Sequence, residues 1–209
     1  KYKTSPGINE RSLTFHSVTM DVRKYHRLFN GISIAGKLFG GKNWGADVQK
    51  FRLGGVPCIF PNDCYRGRFT DNKISAEELY FSEYVMPLRG VQKSNKLGNN
   101  VLLENLELRL PFLVCYFPAI KYFGQINGVL FTDFGVAWDS NYPEFWDDSS
   151  WKEFDQENID YTGWLMSYGF GPRLIFLGFP WQLDYAWEYN PHLGTISERQ
   201  WYITIGLDF

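Results

Sequence analysis

No run in this sequence is apolar enough, or long enough, to cross a bilayer as a helix, and the mean hydropathy is −0.29. No helical membrane span is therefore predicted within these residues. This does not exclude a membrane β-barrel, whose strands are only half apolar. Cysteine is scarce: there are 3, an odd number, with neither zinc-site spacing nor a redox C-x-x-C. The 3 histidines, His16, His26 and His192, fall on different predicted elements and form no triad or metal signature. Gly169 and Gly171 form a G-x-G, but Pro172 and more strand follow rather than a helix, so no dinucleotide loop is expected. The expectation is a non-enzymatic chain with no metal and no cofactor. Charge of either sign is not in excess, with 21 Lys and Arg against 23 Asp and Glu, so nothing points to nucleic acid. Lys1, Tyr2 and Lys3 lead into polar residues rather than a signal peptide. A protein of the outer membrane is made with one, so the native start is expected upstream of Lys1.

Aromatic side chains, by contrast, make up 19% of the chain, with 8 Trp, 13 Tyr and 18 Phe. They sit in segments of strict alternation. Leu102, Leu106, Leu108 and Leu110 share a face, opposite Asn105, Glu107 and Arg109. Trp201, Ile203, Ile205, Leu207 and Phe209 share a face, opposite Tyr202, Thr204, Gly206 and Asp208. A period of two means strands, here with an apolar face and a polar one. A soluble sandwich alternates too, and one binding carbohydrate through its Trp residues is the outside alternative. It rarely places so many Trp and Tyr at strand ends. A membrane barrel does: lipid outside, polar filling inside, aromatic girdles at both interfaces.

Taken in order, residues 1–11 read as an irregular lead-in. Strands are predicted at 13–26, 32–41, 49–55, 102–112, 125–139, 164–174, 181–189 and 201–209, eight in all. Turns are placed at Asn30-Gly31, 43–47, near 116 and at 178–180. Longer connections are placed at 56–100, 140–161 and 190–200. Trp138, Trp164, Trp187 and Trp201 fall at one end of the lipid face, Trp181 and Phe209 at the other. Gly135, Ala137, Gly169, Gly171, Ala186 and Gly206 lie on the opposite, lumen face. Small residues there leave room, and the 56–100 segment is the candidate to fold inward and fill it. The acidic stretch with Glu144, Asp147, Asp148, Glu153, Asp155, Glu157 and Asp160 has no calcium-loop pattern and reads as a solvated loop. Cys58 and Cys64 are close enough for a disulfide in an oxidising compartment; two free thiols are the alternative, and Cys115 reads as free.

Several of these segments resemble the BamA-type assembly barrels of the bacterial surface antigen superfamily. N-L-E-L-R-L-P at 105–111 resembles the strand after that family's inward loop, and V-L-F-T-D-F-G-V-A-W-D at 129–139 the strand after it. P-L-R-G-V at 87–91 resembles the loop's V-R-G-F tip, with Val91 in place of the aromatic. F-R-L-G-G at 51–55, G-F-G-P-R at 169–173 and the terminal aromatic complete a match in family order over nearly the whole chain. The resemblance implies an all-β, antiparallel transmembrane β-barrel in the bacterial outer membrane. Residues 1–209 would be the C-terminal half of a sixteen-stranded barrel, with the loop at 56–100 folded inward. It implies partners: outer-membrane lipid, client outer-membrane or secreted proteins, and strands from a missing N-terminal half or another chain. The implied activity is assistance to insertion or translocation of other proteins; a structural or pore-forming barrel subunit is the alternative.

Within that frame Glu107 and Asp133 face the lumen on neighbouring strands. Two confined carboxylates need a cation between them. Arg89, beside the permissive Gly90, is expected to enter the lumen and pair with one or both, locking the loop. Ile205, Leu207 and Phe209 have the spacing of an outer-membrane insertion signal.

Overall fold

The computed structural model describes residues 1–5, 13–29, 31–57, 81–91, 96–111, 126–139, 164–176, 178–190, 195–197 and 199–206. These form twelve strands and no helix: β1 Tyr2–Ser5, β2 Phe15–Arg27, β3 Ser33–Gly45, β4 Lys50–Leu53, β5 Ser82–Val85, β6 Lys96–Gly98, β7 Asn100–Leu110, β8 Ile126–Trp138, β9 Leu165–Phe176, β10 Phe179–Asn190, β11 Thr195–Ile196 and β12 Gln200–Ile205. Nine of them make one antiparallel sheet in the order β1-β2-β3-β7-β8-β9-β10. β11 and β12 then share the far edge of β10, β11 at Tyr189–Asn190 and β12 at Trp181–Ala186. The remaining three form a small sheet, β5-β4-β6.

The fold is all-β and its wall antiparallel, as the alternation predicts, with β4 and β5 of the small sheet running parallel, but three local expectations are corrected. Residues 1–11 are not all irregular, because Tyr2–Ser5 pairs with Phe15–Val18. The turn predicted at 43–47 begins too early: Asn43 and Trp44 are still laddered against Ser17 and His16. And 49–55 is no wall strand. β4 leaves the wall and pairs with β5 and β6. The arc therefore still has eight strand positions, because β1 is added at the outer edge of β2 while 49–55 drops out from between β3 and β7. The antiparallel order requires this. β3 and β7 are direct neighbours from Ser33↔Arg109 to Lys42↔Asn100, so everything between Gly45 and Asn100 is one connection at one end of the sheet. A periodic stretch of apolar residues cannot by itself distinguish a wall strand from a strand inside a loop.

One face of the wall carries Val18, Met20, Val22, Leu38, Trp44, Leu106, Leu130, Phe170, Trp201 and Ile205, all exposed. Stacked rings knit the neighbours Tyr168–Trp187 and Phe170–Tyr185 on that face. Large apolar side chains left bare over a whole sheet face are what a lipid-facing surface requires. The face is not wholly apolar as read from 102–112, because Glu104 shares it and is exposed.

The other face holds the core, and the small sheet lies against it. Phe51 and Leu53 of β4, Val85 of β5, and Leu88 and Val91 beyond it pack on Val101 and Leu103 of β7, Ala137 of β8 and Leu165 of β9. The same sheet face is touched at both ends of the strand order. Lys3 of β1 pairs with Glu83 of β5 at 2.6 Å, and Tyr202 of β12 receives a hydrogen bond from Gly90 at 3.2 Å. A wall that meets one inserted unit from β1 round to β12 is curved around it. Glycines in the wall make room. A Cβ on Gly41 would lie 2.6 Å from the Phe51 ring, and one on Gly135 would lie 2.9 Å from Leu53 Cδ2. These are holes for specific knobs. No pairing joins β12 to β1 or β2 among the described residues, so the sheet is an open arc.

Candidate functional site

The site begins with register. Asn105 of β7 stands opposite Asp133 of β8, and Glu107 opposite Phe131. All four side chains are inward and buried. Both carboxylates thus face a confined interior two residues apart in the pleat, and the loop tip supplies the cation. Arg89 is 3% exposed. Its Nε and Nη2 donate to both oxygens of Asp133 at 2.8 and 2.6 Å, and its Nη1 donates to Glu107 Oε1 at 2.6 Å. The Arg89 backbone N–H adds a bond to Asp133 Oδ2 at 3.0 Å. Beneath the guanidinium, 3.7 Å away, lies the Phe131 ring. A planar fork with five donors satisfies two carboxylates and stacks on a ring at once; an ammonium cannot. Burial works against the Arg89 charge, but Asp133 and Glu107 outweigh it and raise its pKa above the ordinary arginine value.

The tip backbone is held as well. Asn105 Nδ2 donates to Pro87 O and to Asp133 Oδ1, both at 2.8 Å. Lys37 Nζ, from β3, donates to Met86 O at 3.1 Å. Leu88 and Gly55 exchange backbone hydrogen bonds, at 2.9 and 3.2 Å, which ties the tip to its own stem. Gly90 has a φ of +81°, and a Cβ there would sit 3.0 Å from the Trp187 backbone and 3.1 Å from Ala186 Cβ. Its place beside β10 therefore depends on having no side chain. Further along, Arg109 Nε and Nη2 donate to Glu107 Oε2 at 3.1 and 3.0 Å, and Arg173 Nη1 lies 2.6 Å from Asp184 Oδ1. Three guanidinium groups and three carboxylates thus share one cluster, in which Arg89 and the carboxylates are buried while Arg109 and Arg173 reach toward solvent.

Of the residues singled out from sequence, Arg89, Gly90, Glu107 and Asp133 meet at this point, and Ile205 lies on the exposed face of β12. Leu207, Phe209, Cys58, Cys64 and Cys115 lie outside the described residues, as do His192 and the acidic stretch at 144–160. His16 contacts Tyr2 and Thr4 on the outside of the arc, and His26 is exposed. Among the described residues no three His, Cys, Asp or Glu cluster as a metal site. Sequence reading missed Lys37, Phe131, Arg173, Asp184 and Tyr202. Each occupies the inward parity of its strand, which was legible. What was not legible is the register that brings five strands to one tip.

Lys96, on β6 inside the arc, is also buried. Burial, only partly offset by Glu188, pushes its pKa down to about 7. The docked loop therefore favours neutral Lys96, while an undocked loop would hold it protonated. Docking is expected to tighten as pH rises above about 7 and to level off near the ordinary value of 10.5. Limited proteolysis of the loop at pH 6 and pH 9 measures this, and Lys96→Met should abolish the difference. Equal cleavage of the unmutated loop at the two pH values would refute the assignment.

The comparisons with known proteins bear on the whole arc. A family model described as the Omp85 superfamily domain matches residues 4–209. No curated protein matches the chain. The family match covers the wall, the inserted loop and the tip alike, and the chain belongs to the Omp85 superfamily, outer-membrane β-barrel proteins concerned with inserting or translocating other proteins.

Proposed function

We propose that this chain assists the insertion or translocation of other proteins at the bacterial outer membrane, as the C-terminal half of a barrel whose lumen is closed by its own loop. The supporting observation is the Arg89 clasp on Asp133 and Glu107. A loop held by a buried, multiply bonded guanidinium is a plug in a defined position, and it works against the alternative of a permanently open pore. On this reading the inserted unit begins before 56, since β4, Lys50–Leu53, pairs with β5 and β6. The second element is the seam. β12 is laddered to β10 on one side, and its other edge has no partner among the described residues. An exposed edge is a template for an incoming strand. Its end is soft: Gly206, with a φ of +141°, closes the described part of the ladder, and glycine weakens strands. Lipid, client proteins and the strands that complete the barrel are the partners of this reading; no cofactor has a part in it, and no step is enzymatic.

A client-insertion assay in liposomes tests the proposal. The complete protein should accelerate assembly of an outer-membrane client into a protease-resistant form, and no acceleration over empty liposomes would refute it. A second expectation concerns the insertion signal proposed for Ile205, Leu207 and Phe209. Deleting Phe209, or Phe209→Asp, in the complete protein should block its assembly. A normal heat-modifiable barrel in the deletion variant would exclude that role.

A further inference from the structure

The clasp explains why the loop tip is held to β7 and β8. It does not explain Tyr202, which lies on the far side of the arc on the last described wall strand. Tyr202 is 4% exposed. Its hydroxyl donates to Gln200 Oε1 and accepts the backbone N–H of Gly90 at 3.2 Å. Gly90 is the residue after Arg89, so one peptide joins the clasp to β12. A second connection runs beside it. In register, Asp184 stands opposite Tyr202, and Gln182 opposite Thr204. A small cavity of about 10 Å³ is lined by Arg89, Glu107, Asp184, Gln182 and Thr204, with Val56 and Pro87. Thr204 Oγ1 is buried and makes no hydrogen bond among the described residues. A polar pocket of that size, bounded by several hydrogen-bonding groups, holds one water molecule.

We infer that Tyr202, together with a single buried water between Thr204, Asp184 and the Arg89–Glu107 pair, couples the loop tip to the terminal strand, so that each stabilises the position of the other. Tyr202 is a positioning residue. Movement of β12 away from β10 removes the partner of Gly90 N–H and opens the water site beside Arg89. Release of the tip, conversely, takes the Gly90 N–H from the buried Tyr202 hydroxyl and leaves it Gln200 alone. Coupling of this kind is reciprocal by linkage. The inference does not depend on what the protein inserts or translocates.

The test is hydrogen exchange on the complete protein, with all its strands, in lipid vesicles. Loss of one buried hydrogen bond at the tip should speed exchange of the Leu88–Val91 amides about fivefold in Tyr202→Phe. Thr204→Val should act in the same direction, and Ile203→Val, on the lipid face of the same strand, should do nothing. In the reverse direction, Arg89→Lys should speed exchange across residues 200–206. Exchange in β7 and β8 should stay unchanged in Tyr202→Phe. Any of three results overturns the inference: tip exchange unaffected by Tyr202→Phe, residues 200–206 unaffected by Arg89→Lys, or an equal rise in β7 and β8, which would make Tyr202 a general structural prop.

Discussion

Arg89→Ala is expected to free the loop tip from the wall while the strands remain formed. The substitution removes three side-chain hydrogen bonds and leaves Glu107 and Asp133 buried together. Breaking a buried ion pair from one side costs about 3–5 kcal/mol, because the remaining charge is left uncompensated. Part of the site compensates: Arg109 stays on Glu107, and Asn105 stays on Asp133. The wall itself rests on ladders that Arg89 does not enter. Protease sensitivity should therefore rise in the loop and not in the barrel, and client insertion should fall. Arg89→Lys should recover only part of the loss, since an ammonium cannot bond both oxygens of Asp133 and also reach Glu107. A loop in Arg89→Ala as well protected as in the unmutated protein would show that the clasp does not hold it.

The second large effect is expected at the opposite edge. β1 covers β2 from Phe15 to Val18, and Lys1 O receives Thr19 N–H at 2.8 Å. From Met20 to Arg27 no strand is laddered to the outer edge of β2 among the described residues. In hydrocarbon each unsatisfied backbone group costs several kcal/mol, and open sheet edges do not occur there. Every second residue of Met20–Arg27 turns its N–H and C=O to that edge, since the others are laddered to β3, and several such residues make a large barrier. Met20–Arg27 should therefore pair with a strand outside residues 1–209, and 1–209 produced alone should not form a heat-modifiable barrel in lipid. Cysteines placed along Met20–Arg27 should crosslink to that strand in the complete protein. Crosslinks joining Met20–Arg27 to Gln200–Ile205 instead, in 1–209 alone, would mean that the arc closes on itself as eight strands.

Much of the wall was legible because lipid on one side and packing on the other enforce alternation on every strand. β7, β8, β9 and β10 match their expected spans within two residues. The inserted loop was not legible in detail. β4 carries the apolar pattern of a wall strand because Phe51 and Leu53 are buried on both sides, between β5, β6 and the wall. β5 and β6 are four and three residues long, too short for a period to show. In the site, the expectation for Arg89 rested on the inward parity of Glu107 and Asp133 together with the resemblance of 87–91 to the inward-loop tip. Tyr202 and Lys37 were not singled out, since their partners are backbone atoms of the tip, which no side-chain pattern announces.

The packing of Phe51 into Gly41 and Leu53 against Gly135 has a consequence for electrical conductance. In an ordinary porin the lumen wall is polar, and removing an obstruction leaves a wetted channel. Here the wall opposite the loop presents Val101, Leu103, Ala137 and Leu165. Cutting out the loop would expose this apolar band to water beside the polar band of Lys37, Asn105, Glu107 and Asp133. The uncovered apolar band loses the stabilisation that its burial supplied. A loop-deleted barrel should thus be less stable than the intact one, and current through it would measure how well its wall survives without its contents as much as the width of a pore.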